Sequence, residues 1–81
     1  MRLDKFLKVS RLIKRRTVAN EACDAGHVAV NGRVARASLE VKVGDRVELT
    51  FGERKTALVI EQVNEFSKKE DTNTMYKIVE S

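Results

Sequence analysis

The dipeptide Asn31-Gly32 constrains the fold of this chain more than any other local feature. It separates Val28 and Val30 from Val34, so alternating apolar residues flank it on both sides. An Asn-Gly pair in that setting is the strongest short-range signal for a two-residue β-hairpin turn. The segment HVAVNGRVAR, residues 27–36, is therefore predicted to form an antiparallel hairpin, whose turn points its neighbouring cations outward.

Further strands are predicted after this hairpin. In VKVGDRVELTF, residues 41–51, two valines precede a turn at Gly44-Asp45. Val47, Leu49 and Phe51 then alternate with polar residues, which is typical of a strand with one buried and one solvated face. The remaining predicted elements are a turn at FGERK (51–55), a central β-branched strand at TALVIEQV (56–63), a polar loop at SKKEDTNT (67–74) and a last strand at MYKIVE (75–80).

Two short helices are predicted before the hairpin. Apolar residues recur at helical spacing from Leu3 to Ile13, and Asp4 lies where a negative charge favours a helix N-terminus. A second helix is predicted over 17–25, with Thr17 as a candidate N-cap and Gly26 placed for a left-handed C-terminal cap. Its narrow apolar stripe consists of small residues, namely Val18, Ala19, Ala22 and Cys23.

These elements predict a single α+β domain over residues 1–81, with two short helices followed by a small antiparallel sheet of about four to five strands. The chain has 81 residues, no proline and no low-complexity linker, so it has room for one core only. Any function must therefore lie on the surface of this one unit.

Composition excludes several classes of function. The longest purely apolar run is ALVI (57–60), and the N-terminus lacks a signal-peptide core, so we expect a cytoplasmic protein without a membrane partner. The single cysteine, Cys23, can form neither an internal disulfide nor a zinc site with a second thiol. With one histidine and no catalytic, metal-binding or phosphate-loop motif, we expect no enzyme activity, no catalytic residue, no metal and no cofactor.

Positive charge is concentrated in the first half of the chain. Residues 1–36 have a formal charge of +6 and residues 37–81 of −2, which together give the net +4. Such an asymmetry in a small domain indicates a polyanionic partner, most often nucleic acid. The alternative is a solvated basic face that binds nothing.

The run Lys14-Arg15-Arg16 favours the nucleic-acid interpretation. It stands directly before the second helix, whose positive dipole end should repel it. Cations at that place are favourable when an anion such as phosphate binds between them, because helix N-H groups and arginine forks both bind phosphate. We predict that the cations of the corner and of the hairpin converge on one groove, namely Arg2, Lys14, Arg15, Arg16, Arg33 and Arg36.

Three segments resemble a known family. RLDKFL (2–7), KRRTVANEACDAGHVAVNG (14–32) and VKVGDRVEL (41–49) are similar to the RNA-binding domain named after small-subunit ribosomal protein four. The resemblance spans residues 2–51, leaves the strands of 55–80 outside the signature, and implies an αL RNA-binding motif of two helices packed on a small twisted sheet.

The resemblance also implies roles for individual residues. The family's helix-one arginine falls on Arg2, its second-helix arginine on Arg16, and its turn followed by a cation on Asn31, Gly32 and Arg33. Together with the other cations of the first half, the resemblance implies an RNA-binding set of Arg2, Lys5, Arg11, Lys14, Arg15, Arg16, Asn31, Arg33 and Arg36. Members often carry a small hydroxyl residue where this chain has Arg15, which puts the cap of the second helix in doubt. No synthase or synthetase domain follows, which argues against those activities.

A free-standing domain of this size is similar to family members that act in bacterial ribosome-associated quality control. The resemblance implies binding to large-subunit rRNA and to peptidyl-tRNA, in support of a partner that recruits alanyl-tRNA for C-terminal alanine tailing. Two alternatives stay open: a general ribosome-associated or structured-RNA-binding stress protein, and a protein-interaction module that uses the sheet face and the acidic C-terminal half.

Overall fold

The computed structural model describes residues 1–63 and 75–80. Two helices precede a five-stranded antiparallel sheet of order β2-β1-β3-β4-β5, which confirms the predicted α+β class. The predicted loop at 67–74 lies outside the described residues. The elements are α1 Leu3–Val9, α2 Arg16–Asp24, β1 Val28–Val30, β2 Arg33–Val34, β3 Arg46–Phe51, β4 Arg54–Ile60 and β5 Tyr76–Glu80.

Helix α1 is shorter than its apolar periodicity predicts. It ends at Val9, and Arg11 adopts a left-handed backbone conformation with φ of 63°, which breaks the helix. The N-H of Ile13 then donates to the carbonyl of Leu7 at 3.1 Å, so the chain folds back over the last turn. Ile13 is nevertheless buried, so the apolar spacing predicted its burial correctly but not the length of the helix.

Helix α2 ends as predicted and begins differently. Gly26 has φ of 84°, and the N-H of His27 donates to the carbonyl of Ala22 at 3.0 Å, the pattern of a Schellman cap. The helix starts at Arg16, so Thr17 lies inside it and is not its N-cap. Val18 was predicted in the apolar stripe but is 45% exposed.

The predicted hairpin forms, with its turn at Asn31-Gly32. Asn31 and Gly32 have φ of 54° and 85°, the two positive values of a type I′ turn, and Val30 pairs with Arg33. Strand β3 begins only at Arg46, so the valines before Gly44 lie outside the sheet. Phe51 at its end is 45% exposed, contrary to the predicted buried face, and its ring stacks on that of His27 at a centroid distance of 6.0 Å.

The core lies between the two helices and one face of the sheet. Leu3, Phe6 and Leu7 of α1 are fully buried and belong to the same core cluster as strand residues that include Val47 and Leu58. The segment 35–40 crosses the start of α1, where the N-H groups of residues 3 and 4 donate to the carbonyls of residues 39 and 37. This crossing segment holds the hairpin against the start of the first helix.

Candidate nucleic-acid interface

A buried carboxylate holds two of the predicted RNA-binding arginines. Asp4 is only 2% exposed, although its predicted role was merely to favour the start of α1. Its Oδ2 lies 3.2 Å from Nε of Arg16, and its Oδ1 lies 3.4 Å from Nε of Arg2. Two residues that are 14 positions apart in the chain are thereby fixed on one acid.

The Asp4 carboxylate has further donors. Nδ2 of Asn20 lies 3.4 Å from Oδ2, and the backbone N-H of Lys5 donates to Oδ1 at 2.8 Å. Burial by itself raises the pKa of Asp4, but the hydrogen bonds from Arg16, Asn20 and Lys5 and the charge of Arg16 outweigh it, so this pKa lies below its ordinary value. Asp4 is therefore ionised at neutral pH.

The position of Asp4 accounts for one cation at the start of α2, namely Arg16. Arg16 is the first residue of that helix, and the negative charge beside it favours the positive end of the helix dipole. The side chains of Arg2 and Arg16 remain 48% and 47% exposed, so their guanidinium groups are oriented by Asp4 and still face solvent. Both can therefore offer N-H donors to a phosphate.

The corner between the helices adds unpaired positive charge. Arg11, Lys14 and Arg15 are exposed, and none of them has a carboxylate within ion-pairing distance among residues 1–63 and 75–80. Lys5 is half-buried on α1 beside Asp4. These positions form a basic surface around the Asp4 cluster, which we define as Asp4 with Arg2, Arg16 and Asn20.

The hairpin cations line a separate cleft. Arg33 and Arg36 border an open concavity of about 680 Å³ between the hairpin and residues 38–42, together with Lys42. A single groove holding all the predicted cations was expected. The structure instead forms two basic regions, the Asp4 cluster and this hairpin cleft, joined by the crossing segment over the start of α1.

Asn31 lines the cleft but uses its side chain within the protein. Its Nδ2 donates to Oδ1 of Asp45 at 3.1 Å, and its Oδ1 accepts from the N-H of Arg46 at 3.0 Å. The other Asp45 oxygen accepts from the N-H of Lys42 at 3.0 Å. The amide of Asn31 therefore clamps the hairpin turn to the 42–46 loop, and RNA contact by Asn31 remains a prediction.

Sequence reasoning missed three participants, namely Asp4 and Asn20 as partners of the arginines and Lys42 at the cleft. Asp4 does stand in the RLDKFL segment, but its partner Arg16 follows across a helix corner, where no periodicity predicts a contact. Lys42 is separated from the hairpin by the crossing segment, so only the tertiary fold brings it to Arg33 and Arg36.

Other chemistry finds little support in the described part of the chain. Burial, together with the charges of Asp4 and Asp24, raises the pKa of Cys23 to about 11, so this thiol is protonated and unreactive at neutral pH. Residues 1–63 and 75–80 contain no group of three or more His, Cys, Asp and Glu side chains placed to hold a metal ion. No helix among them is long and apolar enough to cross a membrane.

Comparison with known proteins agrees with this geometry. Residues 1–47 match the S4 domain, an RNA-binding domain. The chain is 51% identical over 78 residues to the "RQC P-site tRNA stabilizing factor" of Halalkalibacterium halodurans, with 96% of this chain and 89% of that protein covered. It is 48% identical over 79 residues to the Bacillus subtilis protein of the same name, with 98% and 92% covered.

Solved structures share the fold over nearly the whole chain. Heat shock protein 15 of Vibrio cholerae, solved as a trimer, superposes with a TM-score of 0.89 at 28% identity and covers 98% of this chain and 81% of its own. The solution structure of the hypothetical protein HP1423 superposes with a TM-score of 0.84 at 35% identity, covering 100% and 99%. The chain therefore belongs to the S4 domain family and, within it, to the family of RQC P-site tRNA stabilizing factors.

Proposed function

We propose that this protein is a non-catalytic RNA-binding factor of ribosome-associated quality control. In this role it binds rRNA of the large ribosomal subunit and peptidyl-tRNA, and it stabilises the tRNA in the P site while stalled nascent chains receive C-terminal alanine tails. The factor that recruits alanyl-tRNA is the protein partner of this proposal. The names of the relatives at about 50% identity support the part of this proposal that concerns stabilisation of the P-site tRNA.

The observation that carries this proposal is the Asp4 cluster. Two half-exposed guanidinium groups are held on one buried carboxylate, next to the unpaired cations of the helix corner. Arginines that are already oriented lose less conformational entropy when they bind phosphate than free side chains do. The surface is therefore suited to a backbone of phosphates in a fixed geometry, as in folded rRNA and tRNA.

Recognition through phosphates and shape fits the composition of the chain. Its three phenylalanines and one tyrosine are too few for a base-stacking platform, whereas structured RNA is recognised mainly by its backbone, its 2′-hydroxyl groups and its shape. The proposed RNA-binding residues are those predicted from the sequence, with Arg2 and Arg16 as anchors, and Lys42 added at the hairpin cleft. The factor positions RNA and supplies no catalytic group.

The test is binding of Arg16→Ala to purified large ribosomal subunits that carry peptidyl-tRNA, measured over a series of salt concentrations. We expect weaker binding and a salt dependence whose slope falls in magnitude by up to about 1, because one phosphate contact is lost. Arg54→Ala is the matched control, since Arg54 is exposed at the start of β4, away from both basic regions, and its loss changes the net charge equally.

Equal losses in the two variants would contradict a localised site and indicate nonspecific attraction by net charge. Failure of the unmodified protein to bind these subunits would overturn the proposed function itself. Co-sedimentation in cell lysate with an RNA-independent partner instead of large subunits would favour the protein-interaction alternative.

The likeness to heat shock protein 15 favours one second candidate, a general ribosome-associated stress protein. The two folds superpose with a TM-score of 0.89. The discriminating comparison uses large subunits with and without peptidyl-tRNA. Preference for the tRNA-bearing subunits supports a P-site role, whereas equal affinity for both supports the general stress protein.

A further inference from the structure

The hairpin cleft carries charges that its own residues do not neutralise. Its two carboxylates are already engaged, since Asp45 accepts from Asn31 and the N-H of Lys42, and Glu40 pairs with the N-terminal ammonium at 2.6 Å. Its cations differ, because Arg33, Arg36 and Lys42 form no ion pair with any described carboxylate. We call these three residues the rim cations, and the net field of the cleft is positive.

The lining of the same cleft includes exposed apolar side chains. Val34 and Leu39 are 69% and 40% exposed, whereas Val30 and Ala35, which also line the cleft, are almost fully buried. A ligand suited to this surface therefore combines negative charge at the rim with an apolar body inside. Phosphate alone would leave the apolar lining in water, and a paired duplex would keep its bases away from it.

The crossing segment connects the cleft to the Asp4 cluster. The carbonyl of Leu39 accepts from the N-H of Leu3 at 2.8 Å, and Glu40 forms a β-bridge with Arg2. The wall of the cleft and the arginines at Asp4 are thus fixed to the first turn of one helix. An RNA bound at Arg2 and Arg16 therefore has the rim cations in the adjoining basic region.

We propose that the hairpin cleft receives one unpaired nucleotide of the bound RNA, with its base against the apolar lining and its phosphates beside the rim cations. This inference rests on the proposed function and goes further by naming the ligand chemistry of a second subsite. The positive charge of the cleft calls for an anionic ligand, and its connection to the Asp4 cluster favours RNA over an acidic peptide. Binding of an acidic peptide in the cleft would contradict the inference.

The first experiment compares two RNA hairpins with the unmodified protein. Each carries a one-nucleotide bulge, and in the second the bulged nucleotide is abasic, so the number of phosphates is the same. We expect the abasic RNA to bind about fivefold more weakly, because the apolar lining then stays in water. With an isotope-labelled protein, the backbone amide signals of residues 38–42 should shift with the first RNA and much less with the abasic one.

The second experiment separates the apolar lining from the rim. Leu39→Ser should lower affinity for the base-containing RNA alone, whereas Lys42→Ala should weaken both RNAs about equally because it removes a phosphate contact. Val43→Ser and Lys77→Ala are the matched controls, since both residues are exposed and neither lines the cleft. Amide spectra of each variant establish that it is folded, and the comparison of the two RNAs on unmodified protein needs no variant.

Equal affinity for the two RNAs, with normal binding to large subunits, would overturn the cleft inference and leave the proposed function standing. Amide shifts confined to the neighbourhood of Arg16 would also overturn the cleft inference and leave the proposed function standing. Tighter binding of a Glu- and Leu-rich peptide than of RNA, with shifts at 38–42, would assign the cleft to a protein partner. Absence of binding to any RNA and to large subunits would overturn both proposals.

Discussion

At the scale of single residues, Asp4 decides what the surrounding arginines can do. Two guanidinium groups on one carboxylate are worth little as surface ion pairs, since each arginine is about half exposed. Their value lies in orientation, because Asp4 is buried and its other donors prevent it from turning away. Asp4 is thus a positioning residue for the proposed RNA site, since its own carboxylate is buried.

For Asp4→Asn, a positioning role of Asp4 and simple attraction by net charge predict opposite changes in RNA affinity. The variant raises the net charge from +4 to +5, so attraction by charge alone predicts tighter RNA binding. We expect about tenfold weaker binding to large subunits, because two arginine side chains must then be ordered upon binding. Asp24→Asn is the control, since Asp24 is exposed and the change of charge is identical. Tighter binding by both variants would contradict the positioning role.

The lowered pKa of Asp4 predicts a specific loss of stability in acid. Because its pKa in the folded protein lies below the ordinary value of 3.8, the carboxylate stabilises the fold fully above that value. This contribution disappears as the pH falls from about 4 through the lower pKa of the folded protein. Urea unfolding at several pH values should therefore show Asp4→Asn less stable than the unmodified protein at pH 7 and the two converging in acid. A pH-independent difference would contradict this.

At the scale of elements, helix α2 lacks a side-chain cap at its N-terminus. Its N-cap is Arg15, with φ of −123° and ψ of 134°, the extended backbone that suits a capping residue. No side-chain hydrogen bond caps this helix, because arginine has no acceptor atom. A cation thus occupies the position where a hydroxyl would stabilise the helix.

Arg15→Ser should stabilise the protein and weaken its binding to RNA. The serine hydroxyl can accept from an N-H of the first turn, which should stabilise the protein by about 1 kcal/mol and raise its Tm by roughly 4–8 °C. Loss of one corner cation should weaken binding to large subunits at low salt. Arg15→Ala removes the same charge without supplying a cap, so it should bind equally weakly and gain no stability. Equal Tm values for the two variants would show that no cap forms.

The elements that could be predicted from the sequence are those fixed by local rules. The Asn31-Gly32 turn and the Gly26 cap each depend on a few adjacent residues, so both were predicted correctly. The end of α1 was not, because Leu12 and Ile13 keep the helical spacing of apolar residues while the chain turns at Arg11. The Asp4 cluster was not either, since it is a contact between two helices that no local pattern specifies.

At the scale of the whole molecule, the core extends beyond the part that carries the family signature. The S4 match ends at residue 47, whereas Leu58, Ile60 and Met75 are 0%, 1% and 0% exposed in the same core cluster as α1. Strand β4 pairs with the whole of β3, from Arg46 opposite Val59 to Phe51 opposite Arg54. The two helices of the proposed RNA site therefore share a core with the last strands of the sheet.

This packing predicts that a chain ending at Phe51 does not fold, although it contains all the predicted RNA-binding residues. Without β4 and β5, one edge of β3 loses its backbone partners and α1 loses part of its apolar cover, and a unit of about 50 residues has little stability to spare. Amide spectra of the truncated chain should be collapsed, and its binding to large subunits should be lost. A well-dispersed spectrum would show that residues 1–51 form an independent domain, contrary to one cooperative unit over 1–81.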